Sequence, residues 1–598
     1  EITTRLVGSE MCIRDSSKIN QADASGEVNN ETGASMTVTG NITAEKQLTN
    51  KGTLKLNGTN QTLSGAKWYN TGSATISGNA DASQMVVENK GGTIKSDDAN
   101  QGALVAQTLT NLARDAQGAQ IELKSLTVLD RLSNDAKSSI KANALSVGGL
   151  FENSGTVEAG SLTATGDNII RNQGTLTVSG AISGQSAALE VNGGTVSASA
   201  IDLQKVQILA GGTLSMTGEG KISVAEKLEN LGRLEIGDSL VAESAWISNN
   251  GELVRKNGGA ITLIKADRFD NAAGKTVNVA KLDVEHQVNN SGTLTVVGDV
   301  LGGDLGQFIN QQGGTVEIGG NLHIGTGIQA GHGNGVVNLG TLRLTGTDQV
   351  IETNVLYNGK DGKILAQNGS LTVEADVQNS GTIAKSDSEA LTVFKGRTFI
   401  NNTGSILKAK TVELNGAMTN LGTIEGGSVA SASFENRGGA VTVDRVETQS
   451  GPIANSGTMT VTGDLMSANH VNNADGTLSV GGSVQAAGQI AVTKGELKLT
   501  SEDASLSAAS VYNTGSILGA KQITVEKGTL TNKGRVAGLD DSELALLTAG
   551  EVVNEAGATI CVKDMKAGGM VTNLGTVSAS GACLLYTSDA ADDMQCVD

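Results

Sequence analysis

Proline, cysteine and aromatic residues are scarce in this chain of 598 residues, and long apolar runs are absent. Pro452 is the only proline, and the aromatic residues make up 2% of the chain. Because proline removes a backbone donor from a β-ladder, its scarcity is compatible with strands along the whole chain. The lack of any run of about 18 apolar residues excludes a transmembrane helix. We therefore expect no direct insertion of this segment into a membrane.

The four cysteines are too few for a disulfide scaffold or a thiolate zinc site. Three of them lie in the terminal segments 1–16 and 583–598, and the fourth, Cys561, is expected to fill an apolar slot in the interior. Both terminal segments break the pattern of the rest and resemble translated sequencing-adaptor read-through. We interpret them as non-native ends, and the remainder as an internal fragment of a longer protein.

What the chain has in abundance is the phrase Asn-x-Gly-Thr-apolar-x-apolar, which returns about every 20 residues. Clear copies begin at Asn50, Asn172, Asn290, Asn338, Asn455 and Asn573. Glycine (80 residues) and asparagine both tolerate the left-handed backbone region, so these positions are expected to form the turns of each repeat. Stacking the same asparagine from unit to unit also predicts a ladder of side-chain amides.

Within a unit, apolar and polar residues alternate, as where Leu54 and Leu56 flank Lys55. This period of two is typical of strands. A unit of about 20 residues cannot bury its own apolar face, so neighbouring units must stack on one another. We predict an all-β fold, a single long right-handed parallel β-helix with about 20 residues per coil, continuous over 17–582 in about 28 repeats.

Three stretches depart from the repeat and are where function is expected to be grafted, because loops that leave a rigid solenoid can vary freely. They are 97–150, the lengthened unit 311–337, and 536–553, where Asp540 and the residues after it could form a single helical turn.

The net charge of -19 argues against nucleic acid as a partner. Trp68 and Tyr69 form the most aromatic spot and are weak candidates for stacking on a sugar, although a structural role at the edge of the core fits them better. His323 and His332 fall in the lengthened unit, but two histidines without an acidic ligand close by are a weak metal signal. We therefore predict no metal, no cofactor and no catalytic residue.

Parallel β-helices can nevertheless be enzymes. Gly331-His332-Gly333 resembles the histidine motif of polygalacturonases, but the other elements of that motif set are not found near it. A β-helical polysaccharide-active enzyme would need several acidic residues of neighbouring coils in one cleft, near 311–337. This alternative stays open beside a non-catalytic role.

Residues 455–484 read Asn-Ser-Gly-Thr-Met-Thr-Val-Thr-Gly-Asp-Leu and, from Asn473, Asn-Ala-Asp-Gly-Thr-Leu-Ser-Val. These phrases resemble the repeats of filamentous haemagglutinin-like adhesins and autotransporter passengers. The resemblance covers roughly 17–582 and implies a bacterial type V secreted protein. It implies passage through an outer-membrane β-barrel transporter, a place at the cell surface or outside the cell, and attachment to host-cell or matrix glycans and proteins or to neighbouring bacteria. A stalk for a missing toxin or adhesin tip is a further alternative.

Overall fold

The computed structural model describes residues 11–12, 19–20, 26–98, 101–327 and 334–585. Within these ranges the chain is an all-β parallel solenoid of about 29 turns, with roughly 19 residues in each coil. This confirms the predicted fold class. The regular helical element among the described residues is one 3₁₀ turn, Leu539–Asp541. Among the described residues there is no helix whose length and apolar character would let it span a membrane.

The chain divides into two compact units, Glu1–Val288 with Gly292–Val297, and Asn289–Ser291 with Gly298–Asp598. The strands up to residue 297 are Met11–Cys12, Ile19–Asn20, Glu27–Asn30, Ser35–Val38, Ile42–Thr43, Gln47–Asn50, Thr53–Leu56, Asn60–Ser64, Lys67–Asn70, Ser73–Ile76, Asn79–Lys90, Thr93–Ser96, Ala103–Leu112, Gln120–Asn134, Ser139–Val147, Phe151–Asn153, Thr156–Ala164, Ile169–Asn172, Thr175–Val191, Thr195–Ile208, Thr213–Asn230, Arg233–Ile236, Ser239–Asn249, Glu252–Arg255, Ile261–Asn271, Thr276–Asn290 and Thr293–Val296.

The strands after residue 297 follow the same plan. They are Val300–Gly302, Gln307–Asn310, Thr315–Ile318, Leu322–His323, Gly335–Asn338, Thr341–Leu344, Gln349–Asn358, Lys363–Ala366, Ser370–Asn379, Thr382–Ala384, Val393–Asn401, Ile406–Leu414, Ala417–Asn420, Thr423–Ser431, Ser433–Asn436, Ala440–Val443, Arg445–Thr448, Ile453–Asn455, Thr458–Val461, Leu465–Ser467, Val471–Ala474, Thr477–Val480, Val484–Thr493, Glu496–Leu499, Ser505–Asn513, Ser516–Leu518, Gln522–Asn532, Arg535–Ala537, Leu544–Asn554, Thr559–Ala567, Val571–Asn573, Thr576–Ala579 and Cys583–Leu585.

Each strand pairs in parallel with the equivalent strand of the next coil. Gln47–Asn50 pairs with Lys67–Asn70, and Thr53–Leu56 pairs with Ser73–Ile76. Alternate residues of each strand are buried, so the core is a stack of thin layers of valine, leucine, isoleucine and alanine. Cys561 does not fill an interior slot, which corrects the prediction made for it. Ile560 and Val562 take the inward positions and leave its thiol half-buried on the outer side.

The predicted asparagine ladder is confirmed, and we call the column of positions that it occupies the anchor row. Nδ2 of each anchor donates to Oδ1 of the next at 2.7 to 3.0 Å, as between Asn50 and Asn70 or Asn338 and Asn358. The runs cover Asn30 to Asn172, Asn230 to Asn271, Asn290 to Asn473 and Asn513 to Asn573.

The anchors are not turn residues, which corrects the prediction made for them. Asn50 and Asn172 are the last residues of their strands, are fully buried, and are not among the residues with positive φ. Register excludes from the anchor row one asparagine that fits the phrase Asn-x-Gly-Thr, Asn192. Val191, not Asn192, pairs with Asn172, and Asn192 is exposed. Apolar side chains therefore replace asparagine in the anchor row at Val191, Ile208 and Val492.

The motif glycines have a different role from the predicted one. At Gly194, which lacks positive φ, an added Cβ would lie 2.5 Å from the carbonyl carbon of Gln173 and closer still to the carbonyl oxygen of Gly174. These atoms belong to the backbone of the preceding coil. The motif therefore needs glycine because adjacent coils touch there, whereas Gly193, at φ +78°, supplies the left-handed turn.

The three irregular stretches keep the strand pairing of the solenoid in their described parts. In 97–150, the extra residues form a turn closed by mutual backbone bonds between Arg114 and Gln117. In 536–553, the 3₁₀ turn Leu539–Asp541 ends before the strand Leu544–Asn554, and Asp540 and Asp541 have positive φ. Residues 328–333 of the lengthened unit lie outside the described residues.

Asp135 holds the loop of the first irregular stretch in place. Its carboxylate accepts the backbone N–H of Ala113 at 2.6 Å and that of Lys137 at 3.2 Å. Burial raises the pKa of Asp135, but these bonds and one from Ser138 outweigh it, so the pKa lies below its usual value.

We expect Asp135→Asn to lower the free energy of unfolding by about 1 kcal/mol at pH 7, because two N–H groups lose a charged acceptor. A lowered folded pKa stabilises above the unfolded pKa of about 3.9, and this contribution is lost as the pH falls through the folded value. Urea unfolding at pH 7 and near pH 3 should therefore show a difference between the two proteins that shrinks in acid. A difference that is independent of pH would contradict this role.

Candidate functional site

Trp68 is not a sugar-stacking residue. It lies on the strand Lys67–Asn70 in register with Leu48 and Val87, and its side chain is fully buried. The alternation that places the side chain of the anchor Asn70 inside also places that of Trp68 inside, because the two residues are two positions apart on the same strand. The spacing from the anchor could have shown this, so the correction needed only the sequence.

Tyr69 is the outward neighbour of Trp68 and is half-buried. The Lys67 ammonium lies 5.3 Å from the centroid of its ring, and Lys67 also forms an ion pair with Glu88. A ligand that stacks on this ring has to share it with the lysine. Tyr69 therefore stays a weak candidate for stacking on a sugar.

His323 lies on the short strand Leu322–His323 and pairs with Glu352 of the next coil. Its Nδ1 atom is 2.7 Å from Oε2 of Glu352. His332, the other histidine of this unit, lies outside the described residues. Among the described residues there is no group of three or more histidine, cysteine, aspartate or glutamate side chains that could hold a metal ion. His323 therefore has a hydrogen-bonding partner in Glu352, and the acidic cleft of the enzymatic alternative stays a prediction.

Trp246 is the exposed aromatic residue that sequence reasoning missed. It projects outward from the strand Ser239–Asn249 with 39% of its surface exposed. Its Nε1 donates to the carboxylate of Asp270 on the next coil at 2.8 Å, and the Lys227 ammonium of the preceding coil lies 4.7 Å from the ring centroid. Trp246 stands three residues before its anchor, Asn249, whereas Trp68 stands two before Asn70. That one-residue difference is the signal in the sequence.

Charged side chains surround Trp246 in pairs. Lys227 lies 3.2 Å from Glu229, and Lys205 lies 2.9 Å from Glu226. Arg268, in register with Trp246 on the next coil, lies 3.9 Å from Asp267. We call Lys205, Lys227, Trp246 and Arg268, which occupy successive coils of one column, the Trp246 row.

An open groove of about 480 Å³ lies in the same unit, beside the loop that follows the strand Glu252–Arg255. Arg255, Lys275 and Asn278 line it together with Gly258 and Gly259, which both have φ +79°. Nothing in the sequence distinguishes this coil, because its length is ordinary and its two glycines resemble those of any other turn.

Comparison with known proteins gives one similarity. The chain is 24% identical over 490 residues to outer membrane protein A of Rickettsia rickettsii. The matched region covers 76% of this chain and 20% of that protein. The chain thus spans about a fifth of the length of the curated relative it matches. No family model matches the chain. No solved structure matches it either.

Proposed function

We propose that this chain is part of a bacterial cell-surface protein of the adhesin class, with no catalysis of its own. The observation that carries the proposal is the similarity to an outer membrane protein along 76% of a chain that folds as a repeated β-solenoid. The repeat resemblance of residues 455–484 favours the same class. A location at the outer surface of the cell, reached through an outer-membrane β-barrel transporter, belongs to this proposal.

The solenoid offers a simple way to attach. Outward side chains of each strand recur from coil to coil at a spacing of about 4.8 Å, so a weak contact made by one coil can be repeated by its neighbours. Several weak contacts on one scaffold bind with a high effective concentration. Some surface charges are paired between coils, as in Arg171 with Glu190 and Lys395 with Glu413. The partners proposed are glycans or proteins of host cells, of the matrix or of neighbouring bacteria.

The test is to display the chain on a non-adherent bacterium and to measure attachment to epithelial cells, matrix proteins and immobilised glycans. Cells that display an unrelated β-solenoid of similar length are the control. We expect a gain in attachment to at least one surface, and removal of the displayed chain by external protease should abolish it. No gain on any surface would leave only the role of a stalk.

A further inference from the structure

The Trp246 ring is held in one orientation before any ligand arrives. Its indole N–H is fixed by Asp270 at 2.8 Å, and the ammonium of Lys227 lies 4.7 Å from the ring centroid. The strand beneath it pairs on both sides with neighbouring coils. A ring that is already ordered loses little conformational freedom on binding, which favours affinity.

The chemistry around the ring fits an uncharged, hydroxyl-rich ligand. Lys205, Lys227 and Arg268 each have an acidic partner within 4 Å. An ionic ligand would have to break one of these pairs. Sugar hydroxyls both donate and accept, so they can add to the remaining lone pairs and N–H groups without breaking them.

The size of the patch also favours a sugar over a protein. Trp246 is an isolated ring among polar side chains, whereas a stable protein interface buries about 800 Å² on each partner around an apolar centre. A pyranose ring has one apolar face of C–H groups and a rim of hydroxyls. One indole, which has an apolar face and polar neighbours, is enough to receive it.

We propose that Trp246 is the stacking platform for a sugar ring of a neutral oligosaccharide. The sugar shares the indole with the Lys227 ammonium by stacking on the opposite face of the ring, and Lys227, Arg268 and Asp270 contact its hydroxyls. Lys205, two coils before Trp246, lets a longer glycan chain continue along the Trp246 row, at about 4.8 Å per coil. This inference rests on the proposed function and names the ligand class and one site for it.

The experiment uses the intact chain and its own fluorescence. Trp68 and Trp246 are its two tryptophans, and Trp68 is fully buried, so a soluble quencher such as acrylamide should reach Trp246. An array of neutral and acidic oligosaccharides is screened first, and the glycans it retains are titrated. We expect a neutral oligosaccharide to change the emission and to protect it from acrylamide. Trp246→Ala lacks this fluorescence signal, and its binding is therefore measured on the array, where we expect it to be weaker by about tenfold or more.

Leu231→Ala is the matched control, because Leu231 is an outward apolar residue of the same unit with 40% exposure. It should leave glycan binding unchanged, and circular dichroism should show both variants folded. Three results would overturn the site. They are full-strength glycan binding by Trp246→Ala, binding to acidic glycans alone with loss in salt, and attachment only to proteins. In each of these the proposed attachment function survives, whereas a chain that attaches to no cell, glycan or protein loses both proposals.

Discussion

Replacing Gly194 by alanine is expected to lower the free energy of unfolding by about 3 kcal/mol or more. The added methyl group would lie 2.5 Å from the carbonyl carbon of Gln173 and 2.7 Å from its oxygen. Both are backbone atoms of the preceding coil, so the clash can be relieved only by moving one coil away from the other. Such a movement stretches the bond from the Thr195 N–H to the Gly174 carbonyl and loosens the packing of the layer.

The adjacent Gly193 is the matched control. Its φ of +78° strains any other residue, but an added Cβ meets no atom within 4 Å. Gly193→Ala should therefore cost only about 1 to 2 kcal/mol, the penalty of an L-residue in the left-handed region. Urea unfolding followed by circular dichroism compares the two variants. Equal losses would mean that contact between coils is not the reason for the motif glycine.

Asn358→Asp is expected to cost about 3 to 5 kcal/mol at pH 7, because it buries a charge without compensating donors. The Nδ2 of Asn358 donates to the carbonyl oxygens of Gly362 and Thr382 at 3.1 and 3.2 Å, and to Oδ1 of Asn379 at 2.8 Å. A carboxylate oxygen in its place would face three acceptors. The side chain is fully buried, so water cannot take the place of the lost donor.

The pH dependence identifies the cause. Burial should raise the folded pKa of the new aspartate above its unfolded value of about 3.9, so the loss grows as the pH rises above that value and becomes smaller in acid. Asn192→Asp, at an exposed position beside the anchor row, should change the stability by no more than about 0.5 kcal/mol. Thermal unfolding at pH 4 and pH 7 distinguishes the two. A similar loss in both variants would contradict the ladder as the source.

The architecture could be predicted from the sequence because each coil is short and its pattern of asparagine, glycine and alternating apolar residues repeats along the chain. The spacing of Asn50, Asn172 and Asn338 was enough to predict stacking and the amide ladder. The reasons assigned to single residues were less secure. Asn192 fits the phrase Asn-x-Gly-Thr, but the pairing places Val191 in the anchor row, and a shift of one residue reverses which side is buried.

The functional residues were harder to predict, because a shift of one residue along a strand decides whether a side chain is buried or exposed. Trp68 and Trp246 are the same residue type, and only the number of positions between each tryptophan and its anchor shows that Trp68 is buried and Trp246 is exposed. Contacts between coils join residues far apart in the sequence, 24 positions for Trp246 with Asp270 and 29 for His323 with Glu352. Their partners follow from the register, which insertions such as that in 311–337 shift locally. A cleft such as the one beside Gly258 depends on the path of a loop that no repeat constrains.

The anchor row gives the interior a direction. In every described rung the amide donates towards the carboxyl-terminal side, so the dipoles of each run point the same way and polarise one another. Where an apolar residue stands before an asparagine in the anchor row, as Ile208 does before Asn230, no preceding side-chain amide donates to the Oδ1 of that asparagine. Oδ1 of Asn30 and of Asn230 are both buried without a partner. Because Ile208 precedes Asn230, each apolar replacement ends one electrical unit and begins another, much as a helix terminus does for the peptide dipoles along its axis.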